Sequence, residues 1–296
     1  MLKSSLSPLF QRCKRWIKAE RPLFLGVLWT LLLLAGVAFL FFKTETSVAK
    51  RFDIKWGFHW LIATAAVGII GFIVNLKDLL HSYRKKAPSL PPVLAVLFLT
   101  LFSAIIATQW ISLKHRVLSD ESSWEGMAIQ MYYNQSGGVC NQGFFKDGEL
   151  ECIEEVNNFK GKALALFELI AYAVSSPGRD AALRVNLPLF LLSIPLLFLV
   201  VWHSTGRQWL AVTAAGALAT LPTMLFQSRA ASTEVLYIFL LLLIVHWMQK
   251  LSTLGFKGKQ LLLLLPLMGI FAQTRQETIF AFAAFAWYWL PWFREK

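Results

Sequence analysis

An all-α, polytopic transmembrane helical bundle of about eight spans is the fold class this sequence predicts, and three observations predict it. The 296-residue chain is 56% hydrophobic and only 16% charged, where a soluble domain is about a quarter charged. Its apolar residues collect in uncharged runs close to bilayer length. Its basic residues lie in short clusters between those runs. A net charge of +12 and a pI near 9.8 would otherwise suggest nucleic acid. Clusters placed this way orient a membrane protein instead, so nucleic acid is excluded as a partner.

The elements follow in chain order. Within residues 1–21, Leu6, Leu9, Phe10, Cys13, Trp16 and Ile17 recur at helical spacing with Arg12, Lys14, Arg15 and Lys18 between them. This reads either as a cytoplasmic amphipathic helix lying in the membrane plane or as plain topogenic charge. Residues 22–113 hold three transmembrane runs, 22–42, 56–76 and 91–113. The first is too long for a cleaved signal, and no small-residue cleavage site follows it. Residues 114–184 form the one long polar stretch. Residues 185–296 hold the remaining runs, 185–202, 209–227, 235–249, 260–273 and 278–293. The last three sit near or below the usual spanning length, as tilted, broken or sheltered helices do.

Charge orients the bundle. With a cytoplasmic N-terminus, the inside segments (1–21, 77–90, 203–208, 250–259, 294–296) carry a net +13, and the outside segments (43–55, 114–184, 228–234, 274–277) a net −1. No charge is left within the spans, and the asymmetry has the sign the positive-inside rule requires. Segment 43–55, with Lys43, Lys50, Arg51 and Lys55, fits least well. Trp56, Trp110, Trp202, Trp209 and Trp292 fall at expected span ends, as an aromatic belt requires. The expected location is a multi-pass protein of a bacterial inner membrane rather than the endoplasmic reticulum.

The outside stretch 114–184 is expected to carry two short interfacial helices. Trp124, Met127, Ala128, Met131 and Tyr132 mark one, and Leu164, Phe167, Ala171 and Val174 the other. Gln135-Ser-Gly-Gly and Phe145-Lys-Asp-Gly read as turns. Cys140 and Cys152 share this polar segment. In an oxidising compartment they pair as a disulfide; the alternative is two thiols. The five His are scattered and give no zinc spacing.

Charge concentrates at the outside ends of the runs. Asp120 and Glu121 follow the third run. Arg184 opens the fourth, Arg229 and Glu234 lie between the fifth and sixth, and Arg275 and Glu277 between the seventh and eighth. A bland reading serves each: Ser119 and Asp120 make a helix cap, and Arg and Glu pair within each turn. Charge at that depth is costly unless it pairs or binds something. Arginine forks grip phosphate. A ring of Arg beside carboxylates suits a phosphate-bearing lipid and a hydroxyl that must lose its proton.

Four segments carry a resemblance. Leu118-Ser-Asp-Glu-Ser-Ser-Trp-Glu-Gly-Met-Ala follows a run. Gly161-Lys-Ala-Leu-Ala-Leu-Phe-Glu-Leu forms a surface helix. Ser176-Pro-Gly-Arg-Asp-Ala-Ala-Leu-Arg-Val-Asn enters the next run. Leu221-Pro-Thr-Met-Leu-Phe-Gln-Ser-Arg-Ala-Ala-Ser-Thr-Glu makes a turn two runs later. In that order, over residues 110–280, the chain resembles the N-terminal module of the GT-C superfamily of membrane glycosyltransferases, especially the family of protein O-mannosyltransferases and aminoarabinose transferases. The family's His-Pro-Pro element is absent, two runs precede the module, and family enzymes continue beyond an eighth span. The expectation is therefore a module that is truncated, completed by a second membrane subunit, or inactive.

The resemblance implies inverting transfer of a sugar from a polyprenyl-phosphate donor to a lipid, glycan or protein acceptor on the non-cytoplasmic face. Asp120 would be the general base, or hold the acceptor through a divalent cation (Mg or Mn), with Glu121 assisting. Arg184, Arg229 and Arg275 would bind the donor phosphate, supported by Glu234, Glu277 and Lys162. The rival reading is a non-catalytic subunit or scaffold completed by another chain. A transporter is disfavoured, because no inverted repeat and no mid-span ionisable residue is seen, although Pro188, Pro195 and Pro266 interrupt runs. Ala214-Ala-Gly-Ala reads as helix-packing surface.

Overall fold

The computed structural model describes residues 46–85, 87–112, 120–156, 161–175, 177, 181–254, 260–275, 277–282 and 284–285. The expected in-plane segment 1–21, the first run 22–42, the Ser119 cap, Trp292 and most of the eighth run lie outside the described residues. The chain divides into two compact units, Phe52–Gln276 and a second made of Met1–Arg51 with Glu277–Lys296. In the second unit the backbone N–H of Phe280 donates to the carbonyl of Glu277 (3.0 Å), opening a helical turn.

The described residues are mostly helical. In order the elements are α1 (Thr46–Lys85), α2 (Leu90–Gln109), α3 (Asp120–Asn134), β1 (Val139–Lys146), β2 (Glu149–Val156), α4 (Ala163–Ser175), α5 (Ala181–Thr205), α6 (Gln208–Thr220), α7 (Pro222–Gln227), α8 (Thr233–Leu254) and α9 (Leu261–Ala272). Four helices are long and apolar enough to cross a membrane, over Lys50–Leu80, Leu90–Gln109, Arg184–Thr205 and Thr233–Leu251. Large apolar side chains on the first two, among them Ile69, Ile73, Phe98 and Leu101, are exposed. Water would not tolerate such faces, and a membrane accepts them.

Several boundaries differ from the hydropathy reading. The poorly fitting segment 43–55 is not a loop where it is described. From Thr46 it is helix, because no Pro or Gly separates it from the apolar run that follows. The run 209–227 is two helices, α6 and α7. Pro222 lacks an N–H, and Leu221 before it takes an extended backbone (φ −67°, ψ 113°). The run 235–249 grows to α8, which reaches spanning length, whereas α9 stays short. Trp202 lies in the last turn of α5, near the end of that span, where it is buried beside Phe198, with which it stacks at 6.1 Å.

Helix α5 is the centre of the larger unit, touching α2, α4, α6 and α8. Its buried stripe Phe190, Ile194, Phe198 and Trp202 repeats every fourth residue. It meets α8, whose Leu236, Leu240, Ile244 and Leu251 are also buried. Small residues bring α2 and α6 together. Ala211, Ala215 and Ala219 face a side of α2 where Ser103 donates its hydroxyl to the carbonyl of Ala219 (2.9 Å). On α1, Gly71 lies against the backbone of Leu262 and Leu263, an approach that a Cβ would block.

The polar stretch corrects the all-α expectation. Between α3 and α4 stands an antiparallel two-stranded hairpin. Asp147 (φ 51°) and Gly148 (φ 86°) form its two-residue turn, which both left-handed conformations suit. β1 is largely exposed and lacks the alternation that marks a half-buried strand, and β2 keeps it only over its first half. Cys140 and Cys152 are joined as a disulfide across this hairpin. Helix α3 buries Trp124, Met127, Ala128 and Met131 as its spacing predicts, although Tyr132 is exposed. Helix α4 is rotated from its expected face. Leu164, Glu168 and Tyr172 are buried, whereas Val174 is 85% exposed. The two helices pack on each other.

Candidate functional site

Hydrogen bonds sort the polar side chains of the larger unit into two ends. At one end, Gln208 accepts from Ser89 (3.3 Å from its backbone N–H), and Lys250 lies 2.7 Å from His203. At the other end, the polar stretch is tied to the bundle at three places. The N–H of Gly137 donates to the carbonyl of Ile54 (2.9 Å), and Ser136 donates its hydroxyl to the same carbonyl (3.1 Å). The N–H of Ala163 donates to the carbonyl of Gln273 (3.0 Å). Lys162 lies 2.5 Å from Asp53.

This second end holds the candidate charges. Arg275 Nη1 donates to Glu234 Oε1 at 2.7 Å, so α9's exit is pinned to the first turn of α8. Arg229 lies on the turn between α7 and α8. Asn186, fully buried in the second turn of α5, reaches across to that turn. Its Nδ2 donates to the carbonyls of Ala230 (2.5 Å) and Ser232 (2.9 Å). Arg184, two residues before Asn186, is exposed. Lys162 is nearly buried, and its ammonium packs between Asp53, Gly57 and Gly137.

The sequence-predicted residues are therefore distributed unevenly. Arg275 and Glu234 are brought together, and Arg229 shares the turn that leads into Glu234. Lys162 serves Asp53, a partner that sequence reading did not assign. Glu277 belongs to the other compact unit. The backbones of Asp120 and Glu121 open α3, but their side chains lie outside the described ones. Among the described residues no group of three or more His, Cys, Asp or Glu gathers to hold a metal. Arg229, Arg275 and Lys162 are cationic, and Glu234 and Asp53 are engaged by Arg275 and Lys162.

Two groups were missed. Asn186, the last residue of the segment Ser176-Pro-Gly-Arg-Asp-Ala-Ala-Leu-Arg-Val-Asn, has no role in the sequence reading, although a polar amide at the mouth of a span is itself a signal. Glu168, read only as part of the expected surface helix, is fully buried. It stands one turn before Tyr172, whose phenol is pushed well above its usual pKa. Burial is the main cause, and Glu168 and then Glu125 add negative potential.

Compared with protein-family models, with curated proteins and with solved structures, the chain matches none.

Proposed function

We propose that this chain is a GT-C-type membrane glycosyltransferase module, oriented with its N-terminus in the cytoplasm of a bacterial inner membrane. It moves a sugar from a polyprenyl-phosphate donor to an acceptor on the other face, with inversion. The observation that carries this reading is the gathering of Arg229, Arg275 with Glu234, and Lys162 at one end of the bundle. The module that begins with Asp120 and Glu121 is tied to that same end through Gly137 and Ala163.

The chemistry needs a base and an anion cradle. The acceptor hydroxyl gives its proton to Asp120, with Glu121 assisting, while its oxygen attacks the anomeric carbon from the face opposite the phosphate. A new C–O bond forms, the C–O bond to phosphate breaks, and its electron pair leaves on the phosphate oxygen. Arg229 and Arg275 stabilise that growing charge, and Arg184 supplies a third guanidinium from α5. Glu234 holds the Arg275 guanidinium in place at this end. The products are the glycosylated acceptor and polyprenyl phosphate.

The test is transfer from a glucosyl prenyl phosphodiester by the purified protein in nanodiscs, with Asp120→Asn beside wild type. A loss on the order of 10²–10⁴-fold with donor binding retained is expected for a general base. Full activity of a folded Asp120→Asn protein removes the base assignment. Inactive wild type that copurifies with another multi-span protein favours a non-catalytic subunit. A cysteine at position 120 that labels only from the cytoplasmic face overturns the orientation.

A further inference from the structure

The turn that carries Arg229, together with the α5 side chain bonded to it, has three buried polar side-chain atoms without a hydrogen-bond partner among the described residues: Asn186 Oδ1, Gln227 Oε1 and Arg229 Nε. The orientation of Asn186 is fixed. Both hydrogens of its amide nitrogen are spent on the carbonyls of Ala230 and Ser232, so its oxygen faces away from them as an acceptor. Asn186 is 0% exposed, and a buried acceptor without a donor costs about 1–3 kcal/mol. The turn itself is set by its own backbone. The carbonyl of Gln227 accepts from the N–H of Ala230 (3.2 Å) and from the hydroxyl of Ser232 (3.4 Å). The Gln227 side chain has no part in that fold.

Gln227 and Arg229 stand on the turn and Asn186 is bonded to it from α5, so two acceptors and one cationic donor belong to one small region. Arg229 Nε calls for an anionic or neutral oxygen. Asn186 Oδ1 and Gln227 Oε1 call for O–H donors and repel a bare phosphate dianion. We infer that Asn186 and Gln227 are specificity-determining residues of this end. They select a phosphate ester whose neighbouring group carries hydroxyls, a glycosyl phosphodiester, over a plain prenyl phosphate. This inference rests on the phosphate-binding reading of Arg229. Charge alone gives the opposite ranking, because a phosphate monoester dianion is drawn to arginine more strongly than a diester monoanion.

The experiment measures dissociation constants of two probes in nanodiscs, farnesyl phosphate and glucosyl farnesyl phosphodiester. Wild type is expected to bind the diester about ten-fold more tightly, the low end of what leaving a buried acceptor unpaired costs. Gln227→Met keeps the side chain's length and removes the acceptor, and it is expected to bring the two constants close to parity by weakening the diester and tightening farnesyl phosphate. Arg229→Gln is expected to weaken both probes together. A wild type that prefers the monoester overturns the inference. So does Gln227→Met with its preference intact, which would mean that the Gln227 acceptor meets no group of the ligand. If Arg229→Gln leaves both constants unchanged, the phosphate reading falls and takes this inference with it. If Arg229→Gln weakens both probes and Gln227→Met changes nothing, only the specificity assignment falls.

Discussion

The ammonium of Lys250 lies 2.7 Å from Nε2 of His203, and Nδ1 of the same ring lies 2.7 Å from the carbonyl of Leu199. A carbonyl accepts only, so Nδ1 carries the ring proton, and Nε2 is left to accept from Lys250. Beside them Gln249 Nε2 donates to Ser204 Oγ (2.7 Å) and to the carbonyl of Val200 (3.1 Å). Together these bonds clasp the ends of α5 and α8 opposite the candidate site. Lys250→Met is expected to lower unfolding free energy in detergent titrations by about 1 kcal/mol, in the range of interhelical polar contacts in membranes. His203→Phe should cost a similar amount. A double-mutant cycle should show that the two losses do not add. Independent, fully additive losses would mean that the contact contributes nothing.

Asp53 and Lys162 differ in burial, and that difference sets an ordering. The Lys162 side chain is 6% exposed and that of Asp53 41%. Asp53→Asn strips a partner from a nearly buried cation. Lys162→Met removes the buried charge and keeps the packing. Asp53→Asn should therefore be the more damaging substitution, by about 1–3 kcal/mol after allowance for the half-exposed carboxylate. Hydrogen exchange at the Gly137 N–H, bonded to Ile54 next to this pair, reports it directly. Faster exchange in Lys162→Met than in Asp53→Asn would reverse the argument.

Hydropathy exposed the bundle well and its polar attachments poorly. α5 and α8 were visible because their cores are continuous runs of Leu, Ile, Val and Phe, and α3 because Trp124, Met127, Ala128 and Met131 keep one face. The break between α6 and α7 was written in Pro222 but hidden by the apolar residues on both sides. The hairpin went unseen because its strands carry Asn, Gln, Glu and Lys with hardly any buried face, although Asp147-Gly148 was a turn signal. Helix α4 was rotated by one residue type. Glu168 occupies a buried position where a pattern of apolar residues alone selects Phe167 instead. At the site, Arg275 and Glu234 were legible as charges at one depth. The Asn186 bonds span 44 and 46 residues, and no local pattern reveals contacts of that range.

The hairpin disulfide should report both folding and compartment. Cys140 and Cys152 are separated by 12 positions, and a loop of that size restricts the unfolded chain by about 3 kcal/mol. Cys140→Ser should destabilise the hairpin by up to that amount and speed proteolysis between residues 139 and 156, with the helical bundle's melting hardly changed. In protein isolated from a membrane under conditions that trap free thiols, Cys140 and Cys152 should resist alkylation until a reductant is added. Immediate labelling of both would place the hairpin in a reducing compartment and contradict the proposed orientation.

The Tyr172 phenol supplies a pH test. Its folded-state pKa lies above the usual value near 10, because burial, Glu168 and Glu125 all oppose the phenolate. A raised folded pKa means that the native protein holds this proton more tightly than the unfolded chain. The stability so gained is complete below about pH 10 and is lost as pH rises from there toward the folded value. Alkaline unfolding of the α3–α4 pair should therefore begin near pH 10 and shift to higher pH in Tyr172→Phe, which has no proton to lose. Glu168→Gln removes the nearer negative charge and should lower the Tyr172 titration toward that of an exposed tyrosine. Absorbance at 295 nm, read as the difference between wild type and Tyr172→Phe, follows that titration. A Tyr172 signal that titrates together with the exposed tyrosines, in a protein still folded, would show that neither burial nor Glu168 acts on it.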